Sequence, residues 1–315
     1  MNLSLFDEKI KNNQNDYYED FQISSIDDLF KRSIEFKNSA EYIKFVDFIA
    51  RFKNYSHYNN MLVYLQNPAV TFFGSSSFWQ KKFNRKVKKN AKPMIILAPM
   101  HPVLMVYDIF DTESVKDCNG KEKESVEEFL KKHSGDINNA MGSFDESIYD
   151  KTIDVLTNNF EYSIESTPMS YYHSGSIFSF QSKKIEIKLN DKLDKKNSYT
   201  TICHELAHLF LGHLGISDIK DIVNDKKITI PIRKNLSLSQ KEIEAETTSY
   251  LVCSKINLYA KSEEYLSIYI KNPNDLKYIS YDTIIKAAKQ ILELPKKLKK
   301  TNLEILYESY KTFSK

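Results

Sequence analysis

Apolar positions three and four apart recur in "AEYIKFVDFIARF", where Tyr42, Phe45, Val46, Ile49 and Phe52 fall on one face, the pattern of an amphipathic helix. A second helix is predicted in "SHYNNMLVYLQNP": Ser56 can cap its start, Tyr58, Met61, Leu62 and Leu65 form its stripe, and Pro68 ends it. The pattern then changes to short apolar runs, "AVTFF", "MIILAP" and "VLMVYDIF", which read as strands. Residues 112–145 lose periodicity and become charged and Gly/Ser-spotted, apart from a short helix in "SVEEFLKKH".

Beyond them "YDKTIDVLTNNF" reads as a helix, and "EYSIES" and "KKIEIKLN" read as strands flanking "PMSYYHSGSIFSF". A long helix follows in "NSYTTICHELAHLFLGHLG", then a polar loop after Lys226 and further helices. The expectation is an α+β protein of two domains. It comprises a loose arm over 1–25, a first α+β domain over 26–115, a linker over 116–145 and a second domain over 146–315.

Composition agrees with two cores: the chain has 315 residues, 41% hydrophobic and 13% aromatic, enough apolar surface to exclude global disorder. Three cysteines, Cys118, Cys203 and Cys253, are too few for a disulfide framework and point to a reducing compartment. With no signal-peptide core and no apolar run of spanning length, a cytoplasmic protein is expected.

Charge changes the picture more. The formal net charge is only +3, yet 60 consecutive residues between Asp47 and Asp108 hold no acid and nine Lys or Arg, leaving −6 for the remainder. Within them "FWQKKFNRKVKKNAK" carries seven basic residues: Lys81, Lys82, Arg85, Lys86, Lys88, Lys89 and Lys92. A merely solvated face mixes signs; this one suits a polyanion. Single-stranded nucleic acid is held by such a groove together with aromatics on which bases stack, and Phe72, Phe73, Phe78, Trp79 and Phe83 are interleaved here. Trp79 and Phe83 are four apart, however, which on a helix would turn them together into the core.

The candidate chemistry lies in His204-Glu205-Leu206-Ala207-His208. On a helix the two imidazoles share a face, so His204 and His208 can address one zinc ion with Glu205 beside them as general base. Asn197 or Ser198 is the expected cap, Ile202, Leu206, Leu209 and Phe210 the apolar stripe, and Gly212 or Gly215 the end. Cys203 points away from the metal face and is expected to pack as a small hydrophobe. A His six residues after His208 would complete a metzincin set, but that position is Leu214; His213, one residue short, reads as a loop residue.

The third ligand is therefore sought in "LSLSQKEIEAETTSYLVC". Ser239 and Glu242 read as a capping box with Leu238 and Ile243 as its staple, which gives Glu242 a structural task. Glu244 shares a face with Thr247, Thr248 and Leu251, and Glu246 with Ile243, Tyr250 and Cys253; periodicity leaves both open as the ligand. Tyr171, Tyr172 or His173 could contribute an oxyanion donor.

Both halves resemble a known pairing. "NYSHYNNMLVYLQNPAVTFFGSSSFWQKKFNRKVKKNAKPMIILAP" with "VYDIFDT" resembles the N-terminal domain of ArdC-type antirestriction proteins of plasmids and phages, and "HELAHLFLGH" with "EIEAE" resembles the ImmA/IrrE-related, zincin-like metallopeptidase domain that accompanies it. The Gly-rich basic turn usual near "KKNAK" is missing. The resemblance implies single-stranded DNA binding by the first domain, Zn2+ in the second, a protein substrate, and Glu244 as the third ligand. Two other functions compete with it: a regulatory protease that cleaves a repressor, and a non-catalytic DNA-binding protein with a vestigial or structural metal site.

Overall fold

Helix α1 (Ser39–Arg51), capped by Asn38 through the Glu41 amide at 3.0 Å, has two buried faces where the apolar pattern shows one. Tyr42, Phe45, Val46 and Ile49 enter a large core, whereas Phe48 and Phe52 enter a smaller one. The computed structural model describes residues 36, 38–98, 101–114, 124–133, 143–170, 173–179, 184–258 and 262–297. The arm over 1–25, Cys118, Tyr171 and Tyr172 lie outside the described residues.

Helix α2 (His57–Gln66) begins at the expected Ser56 cap, whose hydroxyl accepts the Asn59 amide at 3.1 Å. Buried Asn60 donates to the carbonyls of Ile49 (2.7 Å) and Phe52 (3.0 Å), tying α2 to the C-terminal end of α1. Of "AVTFF" only the end forms strand β1 (Phe73–Gly74). Helix α3 (Ser76–Phe83) and strand β2 (Arg85–Val87) follow, then β3 (Met94–Ala98) and β4 (His101–Asp108), which were expected. Strands β1, β4 and β3 form an antiparallel sheet in that order, and β2 pairs with β5 (Thr112–Ser114) as a separate ribbon.

Strand β5, at the end of the expected first domain, holds the basic ribbon; the expected linker beyond it is in part core, for it contains helix α4 (Val126–Lys132), which starts at a capping box of Ser125 and Glu128. It buries Phe129 completely, with ring centroids 4.9 Å from Phe83 and 6.0 Å from Trp79. The charged composition that suggests a linker belongs to the outer face of α4.

The larger core collects α5 (Ser147–Phe160), a sheet of β6 (Ser163–Thr167), β7 (Gly175–Ser179) and β8 (Ile185–Asn190), and helix α6 (Lys195–Phe210). The sheet order is β6-β8-β7, with β6 parallel and β7 antiparallel to β8. The loop expected after Lys226 is the second strand of a hairpin, β9 (Asp218–Asp221) with β10 (Lys226–Thr229). Helices α7 (Leu238–Lys255), α8 (Ser262–Tyr269) and α9 (Tyr281–Glu293) complete the fold, which is a mixed α and β one. No helix among the described residues is long and apolar enough to cross a membrane.

The two cores meet along α7. The Tyr42 hydroxyl lies 2.9 Å from Thr247 Oγ1, Tyr250 donates to Asp47 at 2.8 Å, and Lys255 donates to the Tyr55 carbonyl at 2.7 Å.

Because Phe129 closes the smaller core, Phe129→Ala should cost about 3–5 kcal/mol in denaturant unfolding. A free linker would show no measurable change.

Candidate metal centre

Helix α6 starts three residues before the expected caps: Asp194 accepts the Asn197 amide at 2.8 Å, and Asn197 and Ser198 lie inside the first turn. Ile202, Leu206, Leu209 and Phe210 are buried as the stripe requires, and so is Cys203, whose thiol burial pushes up. Gly212 ends the helix at φ +82°, and a Cβ there would fall 1.8 Å from the Pro231 carbonyl oxygen. That contact needs glycine twice over, for the angle and for the space. It lets the Arg233 amide reach the Gly212 carbonyl at 3.0 Å, which brings residue 233 against the end of α6.

His204 and His208 converge as the i, i+4 spacing demands, their Nε2 atoms 3.2 Å apart. The carboxylate facing both is Glu242: Oε2 is 3.3 Å from His204 Nε2 and Oε1 is 3.5 Å from His208 Nε2. Zinc bonds of 2.0–2.1 Å in a tetrahedron imply donor separations of roughly 3.3 Å. The imidazole pair has that separation, and Glu242 spans it with one oxygen toward each nitrogen.

Glu244, which the resemblance implies as the ligand, is elsewhere. It is fully buried; Oε1 accepts from Arg233 and from the Ser280 amide at 2.7 Å, and Oε2 lies 3.0 Å from His213 Nε2. Glu246 is 3.1 Å from His204 Nδ1, where it accepts the imidazole proton and leaves Nε2 free to bind metal. Glu242 is free for this role because the cap lies two residues earlier than expected. Ser237 and Gln240 form the capping box, at 3.3 and 3.1 Å, and Leu238 is exposed (73%) where a staple would be buried.

The electrostatics follow the geometry. Burial opposes a charge on His204, but Glu242 and Glu246 outweigh it and hold the imidazole up to about 10. Burial pushes His208 down to about 3, helped by the charge of His204. His213 is also lowered to about 3, by burial and then by Arg233. Burial would raise Glu242, yet the imidazoles around it keep it below the usual carboxylate range.

Glu205 is buried beside the ligands. Burial raises its carboxyl, the charge of His204 opposes this, Glu242 adds to it, and the Ile177 amide donates to it. That amide belongs to β7, an edge strand, so the carboxylate is anchored at an edge of the sheet. His173 is exposed and occupied with Ser170 Oγ at 2.8 Å.

The basic run divides differently from the expectation. Lys81, Lys82, Lys86, Lys88, Lys89 and Lys92 are exposed. Arg85 is wholly buried: its Nε donates to Thr112 Oγ1 at 2.9 Å and its guanidinium lies over Phe129 at 5.3 Å, so it cannot reach a phosphate. Trp79, Phe72 and Phe73 are core, and the Trp79 indole N–H donates to the Tyr107 carbonyl at 3.0 Å. Phe78 and Phe83 are half-buried, and outside the run Phe110 is 49% exposed, its carbonyl accepting from Lys88 Nζ at 2.8 Å.

Comparison of the chain with known protein families, with curated proteins and with solved structures finds no match. The assignment of roles therefore rests on these residues alone.

Removing the carboxylate that completes the triangle should matter most. Glu242→Ala should abolish stoichiometric zinc uptake by the metal-free protein. Glu246→Ala should weaken zinc by about 10–100-fold, through loss of the His204 orientation. Atomic absorption and chelator competition measure both.

Proposed function

We propose that the protein is a zinc-dependent peptidase joined to a single-stranded nucleic-acid-binding unit, of the ArdC-type antirestriction kind that its motifs resemble. The observation that carries the peptidase reading is the cluster of His204, His208 and Glu242, the imidazole Nε2 atoms 3.2 Å apart with one Glu242 oxygen 3.3 Å from the first and the other 3.5 Å from the second, beside a buried carboxylate that is not part of it. A purely structural zinc site is closed by four protein ligands and has no use for such a base.

His204, His208 and Glu242 would hold zinc and leave one position open. When bound, zinc acidifies water and polarises a peptide carbonyl. Glu205 accepts the proton from that water on its carboxylate and returns it to the leaving amine nitrogen. Burial favours the protonated carboxyl and His204 favours the ionised one, so Glu205 is suited to both halves of this exchange. The substrate class follows from β7. Its amide at Ile177 points toward Glu205, away from β8, so an extended polypeptide could lie along the same edge as an added strand.

The nucleic-acid reading draws on the six exposed lysines, on the acid-free stretch that carries them and on exposed Phe110. Lysines contact phosphates without reading sequence, so binding should be salt-sensitive and weakly sequence-dependent. The two activities in one chain fit a protein that meets incoming DNA together with proteins bound to it.

Glu205→Gln should retain about one zinc per chain and lose about 10²–10⁴-fold in hydrolysis of an unstructured protein such as casein. Unchanged hydrolysis would remove the peptidase reading. Replacing Lys86, Lys89 and Lys92 together by Gln should lower the salt slope of single-stranded DNA binding by about 2. An unchanged slope would place the contacts elsewhere.

A further inference from the structure

Beyond the ligand triangle, a buried chain of polar groups runs from His208 into the core. His208 Nδ1 is 2.9 Å from His213 Nδ1, His213 Nε2 is 3.0 Å from Glu244 Oε2, and Glu244 Oε1 is held by Arg233 and the Ser280 amide. Arg233 in turn donates to the Tyr278 carbonyl at 3.0 Å. His213, Glu244 and Arg233 are each at most 8% exposed, so water does not compete for these bonds.

The order of protons along this chain is determined from its far end. An ionised carboxylate only accepts, and both Glu244 oxygens are engaged, so His213 must donate through Nε2–H. A neutral His213 then has only a lone pair at Nδ1. His208 must place its own proton on Nδ1 to meet it, which leaves His208 Nε2 bare toward Glu242 and His204. We infer that His213, Glu244 and Arg233 form a positioning relay that sets the tautomer of His208 for metal binding. The inference rests on the reading of His204, His208 and Glu242 as metal ligands, but the proton order itself can be read without metal.

One substitution separates charge from shape. In Glu244→Gln the amide oxygen can keep Arg233 and Ser280, because both use Oε1, while the amide nitrogen takes the place of Oε2. It now donates to His213 Nε2. The relay reverses: His213 carries its proton on Nδ1, and His208 is forced to carry one on Nε2, the atom that should bind metal. His213→Leu removes the acceptor, and His213→Asn can keep it, with the amide oxygen toward His208 and the amide nitrogen toward Glu244.

The test uses the full chain, labelled with ¹⁵N-histidine and freed of metal, and reads tautomers from long-range ¹H–¹⁵N spectra. Zinc affinity is measured separately by chelator competition, with folding checked by circular dichroism. Expected are Nδ1–H for His208 and Nε2–H for His213 in the native chain and the reverse in Glu244→Gln. Zinc should bind about 10–100-fold more weakly in Glu244→Gln and His213→Leu, and within a few-fold of native in His213→Asn. Nε2–H on His208 in the native chain overturns the relay, and so does native zinc affinity in a folded His213→Leu. If Glu244→Gln does not fold, the native spectra and the two His213 variants still decide. The expected tautomers in a native chain that takes up no zinc would uphold the proton order and overturn the metal reading.

Discussion

The seating of α7 against α6 is the constraint from which the site follows. A helix turns about 100° per residue, so Glu242 and Glu246 lie about 40° apart while Glu244 lies about 160° from each. One face therefore delivers two carboxylates to the two nitrogens of His204, and the opposite face drives a third into the core. A fully buried carboxylate costs several kcal/mol unless it is paired. Here it is paired three times, by Arg233, by the Ser280 amide and by His213, from three different segments of the chain. A slide of α7 by a single turn would strip all three partners from Glu244 and withdraw Glu242 from the imidazoles. The buried charge thus fixes the register that sets Glu242 against His204 and His208.

The convergence of His204 and His208 was legible because two residues four apart on an apolar-striped helix must share a face. The carboxylate was harder for a specific reason. "LSLSQKE" holds two overlapping capping boxes, Ser237 with Gln240 and Ser239 with Glu242, and local pattern does not rank them. Choosing the later one removes Glu242 from consideration. The i, i+4 relation of Glu242 and Glu246 was the signal that could have restored it, since a metal-bound histidine calls for partners at both nitrogens. Arg85 was misread for a similar reason. It sits among exposed lysines in sequence, but alternation along β2 turns it inward, where it stacks on Phe129 from a segment that composition alone marks as a linker.

The first half of the fold is held to the second by the same helix that carries the glutamates. α1 has no solvated long face in the usual sense: Phe48 and Phe52 serve the smaller core while Tyr42 and Phe45 serve the larger. Tyr42, Asp47 and Tyr55 then bond to Thr247, Tyr250 and Lys255, the later turns of α7.

The two sheets treat their edges in opposite ways. β3 is an edge strand, and its outward backbone is capped by two side-chain amides of α2. Gln66 exchanges bonds with Ile95 N and O, both 2.8 Å, and Asn59 with Leu97 N and O, at 3.0 and 2.9 Å. Each amide takes the place of a peptide group on a neighbouring strand, so no further strand can add there. The residues are two turns apart on α2, and the extra methylene of Gln66 absorbs the difference between helical and strand rise. This accounts physically for the asparagine and glutamine that bracket "NNMLVYLQ". β7 carries no such cap among the described residues; the bond from its outer edge goes to Glu205. The side-chain amides thus close the outer edge of β3, while the outward Ile177 amide of β7 is satisfied by a single buried carboxylate.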